Sequence, residues 1–173
     1  MLTEQFLDTI LFLLVSIAAV NDLATRRIPN LLLLAGLACA LLLHALSAEP
    51  GTSLLSALGG MGVGLAMFLP FYMVRGMAAG DVKMMATVGA FTGPNEALQI
   101  AVLAWCAGGV MALVLVLLRG HLQLALRNIA RLAFGAIVPA AKAEAAAPQS
   151  AGSLPYGVAI AAGTVLVLLR HYG

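Results

Sequence analysis

The 173-residue sequence predicts an all-α membrane protein, a polytopic bundle of about six transmembrane helices. Hydrophobic residues make up 62% of the chain and charged residues only 9%, whereas soluble domains contain roughly 45–50% and about 25%. The apolar residues also occur in long runs separated by short polar segments. A soluble domain of this length leaves too much of its surface in water to bury such a chain, so the soluble class is excluded.

Six apolar runs are the predicted spans. A transmembrane helix needs about 20 apolar residues, and four runs are interpreted as spans on this basis: Gln5–Val20, Leu31–Ala48, Leu54–Val74 and Ala97–Leu118. Leu154–Leu169 is slightly short but has almost no polar residues. Val82–Gly93 has only 12 residues and would rise less than about 20 Å as a helix, so it crosses only if it is extended backwards or lies where the bilayer is thin.

The basic residues predict the orientation of these spans. With six spans and both termini outside, eight of the nine basic residues lie on the cytoplasmic side, as the positive-inside rule requires. Arg170 is the exception. The eight are Arg26, Arg27, Arg75, Lys83, Arg119, Arg127, Arg131 and Lys142.

The chain is predicted to be one membrane domain, 1–173, with a long cytoplasmic loop at 119–153. In the first half of this loop Gln123, Arg127 and Arg131 recur every four residues and leucines occupy another face. This pattern predicts a basic amphipathic helix on the anionic membrane surface, with partner binding as the alternative. The second half, AAKAEAAAPQSAG, has the composition of a flexible linker.

Several classes of function are disfavoured by composition. The net charge of +2 and the absence of a dense basic cluster argue against nucleic acid as a partner. Cys39 and Cys106 lie in apolar runs without a CxxC pattern, and the three histidines form no HExxH motif. We therefore predict no metal and no cofactor.

Two aspartates carry the predicted chemistry. Ionisable groups at membrane depth are costly and usually functional. Asp22 ends the first span and Asp81 opens the short span, so the predicted topology places both at the cytoplasmic ends of their helices. Such a pair can share a proton and activate water as an acid and a base. The alternative is that each aspartate only pairs with Arg26, Arg27 or Lys83.

The helix dipoles predict how this pair shares its proton. Asp22 lies at the negative end of its helix and Asp81 near the positive end of its own. The expectation is that Asp22 holds the proton and Asp81 is ionised.

Three ordered motifs resemble those of type IV prepilin peptidases. AAGDVK is similar to the GxGD signature of intramembrane aspartic peptidases, except that Ala78 replaces the first glycine. DLATRRIPN resembles the family's segment around the first aspartate, and LPYGVAIAAG its closing motif. The short chain is most like the Flp/Tad-pilus branch.

The resemblance implies a function. Asp22 and Asp81 would be the catalytic pair of an aspartic endopeptidase that removes the leader of prepilins and pseudopilins. Cleavage would occur at the cytoplasmic face of the bacterial inner membrane, with the pilus-assembly machinery as a further partner. Larger relatives also methylate the new N-terminus, but no methyltransferase activity is expected here.

Six other motif residues are predicted to support the site or to bind substrate. Pro29 sets an extended backbone before the second span, and Asn30 either caps that span or orients Asp22, with capping favoured. Gly80 lets a substrate strand approach Asp81, and Lys83 extends to the cytoplasmic interface. The full set is Gly80, Lys83, Pro29, Asn30, Arg27 and Tyr156.

Two other functions remain open. A six-span bundle with two carboxylates resembles a small proton-coupled transporter, although transporter sites usually lie at the membrane midplane within repeats. A non-catalytic pilus-assembly subunit is the other alternative. It predicts that Asn at both aspartates is harmless.

Overall fold

The computed structural model describes residues 2–74, 76–118 and 155–172. Five helices and no strand occur among these residues, which confirms the all-α prediction. The predicted amphipathic helix and linker of the 119–153 loop lie outside the described residues, as does Arg75. The helices are α1 (Leu2–Thr25), α2 (Asn30–Ala45), α3 (Pro50–Met73), α4 (Ala79–Leu118) and α5 (Tyr156–Tyr172).

The helix boundaries follow local chemistry. α1 runs five residues beyond the predicted end at Val20, so that Asp22 lies in its last turn, and Arg26 then adopts a left-handed backbone with φ of 55°. Pro29 precedes α2 with an extended backbone (φ −63°, ψ 125°), as predicted. α3 begins at Pro50 because the first helical position needs no backbone N–H.

Apolar helices make up most of the described part of the chain. Three are long and apolar enough to cross a bilayer, at Glu4–Thr25, Pro50–Met73 and Ala79–Leu118, and Asn30–Ala45 and Tyr156–His171 are shorter apolar helices. Many large apolar side chains are also exposed, including Leu31, Leu55 and Val110. Lipid is the solvent in which such an exterior is stable, so the chain is a membrane protein.

Helix α4 folds back on itself at Gly93. A continuous helix would separate Asp81 from Gly108 by about 40 Å. Instead, Tyr156 interacts electrostatically with Asp81, and its ring lies only 2.6–2.7 Å from where a Cβ on Gly108 would be. Gly93 makes the reversal with φ of 76° and ψ of 176°, and Pro94 starts the second half. Glycine permits the positive φ, and proline suits a first helical position.

The first half of α4, residues 79–92, forms the centre of the bundle. Nearly every residue from 81 to 91 is buried, and Lys83 is the exposed one. α3 packs against this segment through two glycines, because a Cβ on Gly60 would collide with the carbonyl of Gly89 and one on Gly64 with that of Met85. The short apolar run is thus surrounded by protein rather than lipid.

A polar cluster joins the helices at the end of the bundle that is far from Asp22 and Asp81. The His171 ring nitrogens lie 3.3 Å from Asp8 Oδ2 and 3.0 Å from Glu96 Oε1, so the cluster links α1, α4 and α5. A cavity of about 650 Å³ opens beside it, lined by Glu4, Asp8, His44, Ser56, Glu96 and His171 among others. We call this end of the bundle the far end.

The chain divides into two compact units. The first comprises Met1–Gly108 and Pro155–Gly173 and contains both motif aspartates and the far end. The second comprises Gly109–Leu154, and its described residues, 109–118, are helical.

Candidate active site

Asp81 is fixed by the helix that it begins. It is the third residue of α4, and its Oδ2 accepts a hydrogen bond from the backbone N–H of Ala78 at 3.2 Å. The Asp81 N–H donates to the Ala78 carbonyl at 3.1 Å. The bond to Oδ2 corresponds to one half of a capping box, in which a side chain at the third helical position satisfies the N-cap N–H. Asp81 is only 6% exposed, and the Ala78 N–H supplies its buried carboxyl group with a hydrogen-bond donor.

The alanine that replaces the first motif glycine is compatible with this backbone. Ala78 has no positive φ, and its side chain is exposed. A methyl group therefore introduces no conformational strain at this position. The donor that Asp81 needs is the backbone N–H of Ala78, which any residue other than proline supplies.

Asp22 is held by a different helix from its own. It lies in the last turn of α1 and is also 6% exposed. Its Oδ2 accepts the backbone N–H of Gly157, the second residue of α5, at 2.8 Å. Arg26 donates its N–H to the Asp22 carbonyl oxygen at 2.9 Å and interacts electrostatically with the carboxylate.

The first turn of α5 brings the two aspartates into one site. Gly157 binds Asp22, and the neighbouring Tyr156 interacts with Asp81. Asp22 and Asp81 also interact electrostatically with each other. The Tyr156 ring packs edge-on against Phe68, with ring centroids 6.1 Å apart. Two buried carboxyl groups, each bonded to one backbone N–H, therefore lie near each other at one end of the bundle, which we call the aspartate end.

A comparison with protein-family models identifies the chain. The model of the type IV leader peptidase family matches residues 9–113, more than half of the sequence and a range that contains both aspartates. The chain belongs to this family. Comparisons with curated proteins and with solved structures each returned no match.

In this type IV leader peptidase family member, a hydrogen bond joins two of the predicted supporting residues. The Lys83 Nζ donates to Asn30 Oδ1 at 3.0 Å, which ties the start of α2 to the fifth residue of α4. The prediction that Asn30 caps α2 is wrong. Pro29 is the N-cap and Asn30 the first helical residue, because the extended proline places the helix start one residue later.

The structure also describes two further residues of the predicted set. Gly80 is half-buried beside Ile28, and a Cβ there would lie at an ordinary contact distance of 3.5 Å. Arg27 is exposed, and its carbonyl accepts the Thr25 hydroxyl at 3.3 Å. The cation that interacts with Asp22 is Arg26 rather than Arg27.

Gly157 begins the last span with Pro155 and Tyr156, and its alternatives from the sequence are helix-start chemistry or lining the site, but the predicted set of supporting residues omits it. Its neighbour Tyr156 was predicted from the closing motif, but the backbone contact with Asp22 joins residues 135 positions apart. The sequence feature that could have indicated this contact is a glycine at the start of a helix, where backbone N–H groups lack intrahelical acceptors.

The described part of the chain holds no group of three or more His, Cys, Asp or Glu side chains that could bind a metal ion. The far-end cavity contains neither Asp22 nor Asp81 among its lining residues.

Proposed function

We propose that this family member is a prepilin leader peptidase in which Asp22 and Asp81 are the catalytic pair. The observation that carries the proposal is the convergence of two buried carboxyl groups, 59 positions apart in the chain, at one end of the bundle. Burial of two like-charged groups disfavours full ionisation. A pair that shares one proton supplies the acid and the base that peptide hydrolysis requires.

In the proposed reaction, a water molecule lies between the two carboxyl groups. The ionised aspartate takes a proton from water, the water oxygen attacks the scissile carbonyl carbon, and the protonated aspartate donates to the carbonyl oxygen. Collapse of the tetrahedral intermediate breaks the C–N bond. One aspartate recovers a proton from the intermediate and the other protonates the leaving nitrogen. One water is consumed, and the pair regains its single shared proton.

The proposed substrates are Flp-type prepilins and pseudopilins, each with a leader next to a hydrophobic helix. Similarity to the short Flp/Tad-pilus branch supports this class and a peptidase activity without methyl transfer. Cleavage would serve pilus assembly or secretion, and the assembly machinery is a proposed partner. Water is the only co-reactant in this scheme.

The proposed location is the bacterial inner membrane, crossed six times with both termini outside. The return of α4 at Gly93 supports six crossings, because residues 81 and 108 then lie at the same end. Eight of nine basic residues then fall on the cytoplasmic side together with the aspartates. A leader that has not crossed the membrane could therefore reach the pair.

Reporter fusions test this topology. We expect a reporter fused after Arg131 to be cytoplasmic and one fused after Gly173 to be periplasmic, because an odd number of crossings separates the two positions. Paired alkaline phosphatase and fluorescent protein fusions give opposite signals on the two sides. Both reporters on one side would contradict the six-span arrangement.

Co-expression with candidate prepilins from the same cell tests the function. The expected result is a mobility shift of leader size that requires this protein. Each candidate is also expressed with its leader cleavage site altered, and this control should show no shift. A well-expressed peptidase that leaves every candidate prepilin intact would contradict the proposal.

A further inference from the structure

The contact between Gly157 and Asp22 leaves no space for a side chain at residue 157. A Cβ there would lie 2.9 Å from Asp22 Oδ2, 3.1 Å from its Cβ and 3.3 Å from its Cγ. Distances below 3.0 Å are essentially absent from real packing, so one of the two groups would have to move. Both residues are buried, and close-packed surroundings resist such a shift.

The two glycines of the aspartate end differ in this respect. A Cβ on Gly80 would meet only Ile28, at an ordinary 3.5 Å. A Cβ on Gly157 would displace the carboxyl group that Gly157 itself binds. The requirement for glycine at 157 is therefore set by Asp22.

Aromatic packing holds the start of α5 in place. Tyr156 packs edge-on against Phe68, and its ring occupies the notch left by the missing side chain of Gly108. The first turn of α5 therefore cannot retreat from Asp22 without separating these rings. A side chain at residue 157 would therefore displace the Asp22 carboxyl group rather than α5.

We infer that Gly157 is a positioning residue for the leader peptidase reaction: its N–H fixes the Asp22 carboxyl group, and its lack of a side chain permits that contact. The inference rests on the proposed function. The N–H belongs to the first turn of a helix, where it has no intrahelical acceptor. The donor is thus available to the carboxyl group in every state in which α5 is docked.

Gly157→Ala tests the inference, with Gly62→Ala as the matched control because a Cβ on Gly62 meets nothing within 4 Å. We expect Gly157→Ala to lower kcat/KM roughly 10²-fold, the scale of a 1 Å misplacement in an active site. We expect Gly62→Ala to cleave like the wild type.

A spectroscopic readout separates positioning from a loss of folded protein. The chain contains three aspartates, Asp8, Asp22 and Asp81, so infrared spectra of protein with isotope-labelled aspartate resolve few carboxyl bands. The Asp22 band is the one lost in Asp22→Asn. It should shift in Gly157→Ala and stay unchanged in Gly62→Ala.

A double-mutant cycle on melting temperature tests the inference even if Gly157→Ala folds poorly. Asp22→Ala removes Oδ2 and Cγ, so adding Gly157→Ala should lower the melting temperature much less in that background than in the wild type. An equal loss in both backgrounds, or an unshifted Asp22 band with full cleavage by Gly157→Ala, would overturn the inference. Failure of the wild type to cleave prepilins would instead overturn the proposed function, since the band and the cycle do not depend on activity.

Discussion

Asp22→Asn and Asp81→Asn are each expected to reduce leader cleavage below detection. Asparagine keeps the size of the side chain and an oxygen that can accept the N–H of Gly157 or Ala78, so the fold should survive. It cannot exchange the proton that the reaction needs. Acid–base catalysis contributes roughly 10²–10⁴-fold to rates, and an immunoblot of the processed fraction detects a loss of that size.

Asp8→Asn is the matched control for these two variants. Asp8 lies in α1 like Asp22 but fourteen residues earlier, about 21 Å away along the helix. It contacts His171 at the far end, so its replacement should leave processing intact. Near-normal processing by a well-expressed Asp22→Asn or Asp81→Asn variant would contradict the catalytic pair and favour a non-catalytic assembly role.

Gly60→Ala is expected to destabilise the bundle strongly. The new Cβ would collide with the Gly89 carbonyl and lie 2.7 Å from the carbonyl carbon of Gly93. Both are backbone atoms of α4, and they cannot rotate away as a side chain would. Forcing extra atoms into a packed contact costs typically about 1–3 kcal/mol, and small residues are what allow close helix contact in membranes. Thermal unfolding in detergent measures the loss.

Gly62→Ala, two residues further along α3, isolates the effect of this contact. A Cβ on Gly62 meets nothing within 4 Å, and alanine is favoured over glycine in a helix by about 1 kcal/mol. Its melting temperature should equal or exceed that of the wild type. Equal melting temperatures for Gly60→Ala and Gly62→Ala would show that α3 and α4 do not pack through Gly60.

Local chemistry made much of this architecture predictable from the sequence. The apolar runs predicted the helices. The predicted sixth span ends at Gly93, where α4 reverses, and Gly93 and Pro94 both have strong backbone preferences. Pro29 likewise fixed its own extended backbone. The two aspartates were recognisable from their motifs and from the rarity of carboxylates in apolar runs.

Contacts between distant segments were not predictable in this way. Nothing near Asp22 in the sequence indicates that the N-terminus of α5 faces it. The prediction that Asp22 holds the proton considered only the dipole of each aspartate's own helix. Each aspartate also accepts one backbone N–H at a helix start, and which of the two holds the proton stays a prediction.

The contacts of the supporting residues were also not predictable from the sequence. Asn30 has the residue type of a helix cap, yet its amide oxygen accepts a hydrogen bond from Lys83 in α4. Arg26 and Arg27 are chemically equivalent in the sequence. The left-handed backbone of Arg26 distinguishes them, and Arg26 is the one that interacts with Asp22.

Cleavage by the purified protein tests the central claim most directly. The protein is reconstituted in phospholipid vesicles with a purified Flp-type prepilin, and intact-mass spectrometry follows the products. We expect two fragments whose masses sum to the prepilin plus one water, and no fragments with the Asp22→Asn/Asp81→Asn double variant. An intact prepilin after incubation with folded wild-type protein, or the same fragments with the double variant, would contradict the central claim.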